Sequence, residues 1–405
     1  MSTRHRYIFV DVLRSLAIAL ALAAHALNDF DVLSRLTEAE FTAVRILTRA
    51  ATPSFIFMFG MMLELVYARR IATSGLPAVV PKLLWRSLQC YFGYVLTVLT
   101  GWSLGLFDWT HATQAAVFIF GAHHGNILKF YTVALLVAIP LLALRNRVGL
   151  GLTLTFCFGL WLISPLLNTI AAVPVGRFGG ILELGFQLIP YSLTFIGAGM
   201  WVGNSLRRPD NLSARFHLHI GHLLAICAGG VGLLMLQSSP SAVLHSYLDY
   251  YDYRHSHHIG YYLIGLLQAL GLCLLFFHLI PHHRSTLSPS SFLLTFGRAS
   301  LLSFTLGNIV LNVLVGRVFP TAYEGLFLTI GVIGLVLLLA LGMERLIRAI
   351  RTHPRLSILV HPAILLQNRL VGPASTALLD AGRWARNRLH KRAPSLSSLR
   401  WPPIP

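Results

Sequence analysis

Charge is what this sequence has least of. Only 11% of its 405 residues are Asp, Glu, Lys or Arg, whereas soluble domains carry roughly 25%. Acids are scarcer still, 14 against 32 Lys and Arg, which leaves a net charge of +18. Cysteine is scarce as well. Cys90, Cys157, Cys227 and Cys273 are widely separated inside or beside apolar stretches. That spacing excludes a disulfide framework and a cysteine-based zinc site, so the four read as small core residues. The first apolar stretch lacks a small-residue cleavage site and reads as a retained span, not a signal peptide. There is no convincing internal repeat, which counts against transporter folds built from inverted repeats.

What the sequence does have is apolar length. It is 55% hydrophobic with a mean hydropathy of +0.68, and runs of about 20 apolar residues recur, each enough to cross hydrocarbon. The expected fold is all-α, a polytopic membrane protein with about ten transmembrane helices. The candidate spans are 8–27, 51–68, 83–104, 128–144, 149–168, 180–203, 216–236, 258–280, 292–316 and 323–343. The stretch 113–126 is too short to cross and reads as a re-entrant or interfacial piece. Short-loop cations then set the orientation. With the N-terminus inside, Arg69, Arg70, Lys82, Arg145, Arg147, Arg207, Arg208, Arg215 and Arg284 all fall in cytoplasmic loops. Arg35, Arg45 and Arg49 in the loop 28–50 go against the rule. The reading is N-in and C-in, with a membrane domain over 1–345 and a basic cytoplasmic tail over 346–405. Within the tail, 375–391 has the pattern of an amphipathic helix for the inner leaflet; a partly disordered tail is the alternative. The surplus cations in loops and tail fit anionic lipid headgroups rather than nucleic acid.

Ionisable residues inside spans carry the functional signal. In "FVDVLRSLAIALALAAHALNDF", His25 follows Arg14 by eleven residues. At about 100° per residue the two lie within about 20° of one face, roughly 16 Å apart along the axis. Asp29, one turn on, can reach the imidazole of His25 if the helix continues, fixing its tautomer and leaving the other nitrogen as a base. A snorkelling Arg14 and an interfacial His25 are the structural alternative.

The Arg14–X10–His25 pattern after "FVDVLR" resembles the first helix of the acyltransferase 3 superfamily of membrane acyltransferases. "RAATPSFIFMFGMMLELVYARR" (49–70) and "PKLLWRSLQCYFGY" (81–94) are similar to its second helix and its basic junction into the third. "GNILKFYTVALLVAIPLLAL" (125–144) and "FGRASLLSFTLGNIVLN" (296–312) resemble helices of the OpgC-like branch. The resemblance implies a membrane-bound O-acyltransferase of a bacterial inner membrane. Such an enzyme moves an acetyl or succinyl group from cytoplasmic acyl-CoA to a carbohydrate hydroxyl of an extracytoplasmic or surface glycan. His25 is then the catalytic base, with Asp29 to orient it and Arg14 near the donor. Arg69, Arg70, Lys82 and Arg86 are candidates for the CoA phosphates, although the positive-inside rule alone would also place Arg69 and Arg70. No metal is expected.

Further candidates carry bland alternatives. His124 in "HHGN" is an acceptor contact or an interfacial histidine. Glu183 is a substrate contact or a structural residue. Asn308 stands near the place where the family often has His or Gln, and with Asn312 it can instead bond across helices. Glu64, deep in the second span, should pair with an arginine. The run "DYYDYRHSHH" (249–258) has sugar-binding side chains, and His255, His257 and His258 suit a metal only without specificity. A transporter or flippase for a sugar or lipid-linked substrate, and a non-catalytic membrane subunit, are the competing functions.

Overall fold

Long apolar runs have to close their backbone hydrogen bonds internally, and helices are the result. The computed structural model describes residues 7–122, 124–171, 188–207, 212–249, 253–254, 256–280, 292–315, 322–352 and 361–392. Among the described residues every regular element is helical. The order begins with α1 (Ile8–Asp29), α2 (Glu38–Arg49), α3 (Ala51–Met62), α4 (Arg69–Ser74) and α5 (Val80–Ser103). It continues with α6 (Trp109–Ala116), α7 (Asn126–Ala171), α8 (Ile189–Ser205), α9 (Leu212–Gln237) and α10 (Pro240–Leu248). It finishes with α11 (Ile259–Leu279), α12 (Phe292–Arg298), α13 (Ser300–Leu314), α14 (Ala322–Thr352) and α15 (His361–Arg392).

Among the described residues, six helical stretches are long and apolar enough to cross a membrane. They are Ile8–Asp29, Glu38–Ser74, Asn126–Ser164, Ser213–Gln237, Ile259–Leu279 and Glu324–Ile350. The chain is therefore a helical membrane protein. The other expected spans differ for local reasons. The segment 83–104 is helical in α5, but Lys82, Arg86 and Gln89 dilute its apolar character. The segment 180–203 is described only from residue 188, where α8 follows. The segment 292–316 is two helices, because Ala299 leaves helical geometry between Arg298 and Ser300. Two spans were expected over 128–168, and α7 bends between them at Gly149, whose φ of 85° suits glycine.

α1 is the hub, packed against α2, α3, α11, α12, α13 and α14. Tight crossings use small residues in place of side-chain bulk. A Cβ on Gly199 of α8 would stand 2.0 Å from the Phe57 carbonyl oxygen of α3, and one on Gly60 of α3 would stand 2.1 Å from that of Ile196. The four cysteines are free and buried, as packing residues should be.

The bundle has two chemically distinct ends. At the proximal end, where α1 begins, the Tyr7 hydroxyl donates to the Leu206 carbonyl and Phe9 packs edge-on against Phe277 and Phe216. At the distal end, where α1 finishes, Arg49 donates to the Leu248 carbonyl (2.9 Å) and Gln268 to that of Ile46 (2.8 Å). The expected amphipathic segment 375–391 lies within α15, which packs on α5. Val371 and Ser375 of α15 are buried, one turn apart, while Leu366, Leu370, Leu378 and Trp384 are exposed.

Candidate active site

α1 delivers Arg14 to a cavity of about 720 Å³. Arg14 donates from Nη2 to Ser300 Oγ (2.7 Å), which ties the start of α13 to α1. Arg86 of α5 and Arg298 of α12 line the same cavity. Arg298 Nη2 lies 3.3 Å from Glu344 of α14, which also pairs with Arg348. Three guanidiniums thus line the proximal part of the cavity with one carboxylate among them, a surplus of positive charge suited to phosphate. The remaining wall is apolar, with Phe55, Met58, Phe59 and Leu128, and Tyr131 donates to the Phe55 carbonyl (2.9 Å). A cavity with guanidiniums at its proximal part and apolar side chains around the rest fits a ligand with an anionic head and an uncharged arm.

The distal end of α1 is built differently. His124 is buried, and its Nε2 lies 2.9 Å from Asp29 Oδ2, whose side chain is 3% exposed. The rings of His25 and His124 meet edge to face with centroids 5.0 Å apart. Asp29 was expected to act on His25 from one turn away. The partner that the geometry adds is His124, brought in by the segment between α6 and α7. That segment is fixed from several sides. His111 Nε2 lies 3.0 Å from the Gly121 carbonyl, and Lys129 Nζ donates to the carbonyl of Phe118 (3.0 Å). Two imidazoles and a carboxylate in one cluster, His124 and the Asp29 carboxylate buried and His25 half-buried, can accept, hold and return a proton.

α13 bridges the two regions. Thr305 lines the cavity, while Asn312 Nδ2 donates to the Thr97 carbonyl (3.1 Å). Thr97 in turn packs beside Gly125, next to His124. Asn308 lies between them at helical spacing, fully buried, and neither of its amide atoms has a hydrogen-bond partner among the described residues. A buried unpaired amide is costly, which makes Asn308 a candidate to hydrogen-bond a bound molecule. Its neighbour Gly307 serves packing instead, since a Cβ there would stand 2.2 Å from Leu22 of α1.

The structure thus groups Arg14 with Arg86 in the cavity, and His25 with Asp29 and His124 at the distal end. Among the described residues, Arg69, Arg70 and Lys82 do not line the cavity, and Arg69 and Lys82 are exposed. Glu183 lies outside the described residues. Glu64 has its arginine, and in fact two, Arg145 and Arg207. In the segment 249–258, residues 250–252 and His255 lie outside the described residues. His257 stacks on Tyr191 with centroids 4.4 Å apart, and His258 caps α11 by accepting from the Gly260 amide (3.1 Å). Tyr131, Arg298, Ser300 and Glu344 were not singled out from the sequence. The one local signal was that Arg298 and Ser300 interrupt an apolar run.

Residues 6–234, more than half of the chain, match a family model described as heparan-alpha-glucosaminide N-acetyltransferase, catalytic. The match runs from the start of α1 into α9 and takes in Arg14, His25, Asp29, Arg86 and His124. No curated protein and no solved structure matches the chain.

Proposed function

The chain belongs to the family of heparan-alpha-glucosaminide N-acetyltransferase catalytic domains, and on that premise we propose that it moves an acetyl group from acyl-CoA to a sugar across the bundle. The observation that carries this reading is that α1 bears both regions, Arg14 in the cationic cavity and His25 beside His124 and Asp29. The cationic cavity reaches Leu128, four residues from His124, and His124 joins Asp29 beside His25. Arg14, Arg86 and Arg298 take the phosphates of the donor, and the apolar wall takes its thioester arm. Arg69, Arg70 and Lys82 attract the donor from the rim. His25 removes the proton from the acceptor as its heteroatom attacks the thioester carbonyl. Asp29 holds His124, and His124 orients His25 and shares its charge. Asn308 donates to the carbonyl oxygen as charge builds on it. The CoA thiolate leaves, and His25 returns to it the proton taken from the acceptor.

The acceptor is a carbohydrate nucleophile on the far side of the membrane. The sequence pattern assigned a hydroxyl, in the manner of the acyltransferase 3 superfamily and its OpgC-like branch. The description of the matching family puts an amine there instead and favours a glucosamine. In this reading the chain makes about ten crossings of a bacterial inner membrane, with both termini and the proximal end in the cytoplasm. The basic tail lies against the anionic leaflet, and Glu183 is a further acceptor contact.

The test uses the full chain in phosphatidylcholine nanodiscs with radiolabelled acetyl-CoA. Glucosamine and N-acetylglucosamine are offered as separate acceptors. Label on glucosamine alone assigns N-acetylation, and label on both assigns a hydroxyl. No label on either, with transport of the sugar in proteoliposomes, would replace this reading with the transporter.

A further inference from the structure

A second cavity lies behind the wall of the first. α3 leads into a π-helical turn, Leu63–Ala68, before α4 begins. Val66 and Tyr67 of this turn line the large cavity. Ala68, Ile71 and Ala72 face a separate pocket of about 180 Å³, completed by Arg145, Asn146, Gly149 and Arg207. Glu64, with no exposed surface, binds both arginines. Arg145 donates from Nε (3.1 Å) and Nη2 (2.8 Å), and Arg207 donates from Nη1.

One carboxylate leaves this trio with a net positive charge. Three guanidinium N–H groups are spent on Glu64, and the two forks carry more donors than that. Arg145 and Arg207 are 19% and 24% exposed, so their field is screened less than that of a surface cation. A pocket of this size, with two anchored guanidiniums and the Asn146 amide in its wall, holds one tetrahedral anion. We propose that it is a phosphate-binding site, distinct from the donor cavity, for the phosphate of a membrane phospholipid headgroup or a phosphate free in solution. Two features favour its being a built site. Glu64 fixes both forks in advance, which lowers the entropy lost on binding, and π turns recur at functional sites. The inference does not rest on the acyl-transfer reading, because the site lies apart from the donor cavity.

The test is the thermal midpoint of the full chain in nanodiscs, with neither acyl donor nor acceptor present. The three samples are phosphatidylcholine alone, phosphatidylcholine with phosphatidic acid, and phosphatidylcholine with inorganic phosphate in solution. Phosphatidic acid should raise the midpoint by about 3 °C, as ligand binding to the folded state requires. A rise with inorganic phosphate alone assigns the site to a soluble phosphate. Asn146→Leu fills the pocket without altering any charge, so it should keep the wild-type midpoint in phosphatidylcholine and lose the rise. Arg207→Gln should also lose it. Two outcomes overturn the proposal: no rise with either probe, or an equal rise in Asn146→Leu, which would mean diffuse attraction to a basic surface.

Discussion

His25 is half-buried, with the ring of His124 edge-on against it. Its replacement by alanine removes the base and should lower acyl transfer by about 10²- to 10⁴-fold, with the thermal midpoint near wild type. Asp29 and His124 act through one contact of 2.9 Å. Asp29→Asn and His124→Ala should each slow turnover, and the double variant should be no slower than the worse single one. Turnover in the double variant equal to the product of the two losses would mean that the residues work separately. Glu64 makes a different demand. Glu64→Gln leaves Arg145 and Arg207 facing each other without their counter-ion, and should cost about 3 kcal/mol of stability. Urea titration in detergent reads that loss directly.

Helical elements were legible because hydropathy and helical phase are local properties of a chain. They gave α1 its single face, so that Arg14 meets α13 through Ser300 and His25 meets His124. Contacts distant in sequence left no such trace. Nothing in "HHGN" says that His124 will meet Asp29, and nothing in the end of α14 says that Glu344 will meet Arg298. The cavity is hidden for the same reason, being a property of seven helices and the π turn at once. Breaks inside apolar runs were half legible: Gly149 sits at the boundary of two expected spans, whereas the π turn at Leu63–Ala68 gives no sign. Close crossings yield a prediction at this scale. Gly199→Val puts its Cβ against the backbone of α3 at 2.0 Å, with no flexible side chain to give way. It should cost about 1–3 kcal/mol, measured as a lower thermal midpoint. Gly307→Ala presses only on the side chain of Leu22 and should cost less than Gly199→Val in the same assay.

In the proposed reaction, donor and acceptor chemistry are separated by the length of a helix. Arg14 and His25 stand eleven residues apart on α1, about 16 Å along its axis. In sealed vesicles, acetyl-CoA, which cannot cross the bilayer, should support transfer only from the face where α1 begins. Equal rates from both faces would place the two half-sites on one side.

The stretch of α1 between those half-sites has a consequence for the cell's energy supply. Ile18 and Leu22 have no exposed surface, and Gly307 of α13 lets Leu22 lie flush against it. A contact packed this tightly leaves no room for a file of water and insulates electrically, so the proposed transfer of an acetyl group past it would leave the proton gradient intact. Leu22→Gly should therefore turn the enzyme into a slow proton leak, visible as faster decay of an imposed pH difference in proteoliposomes.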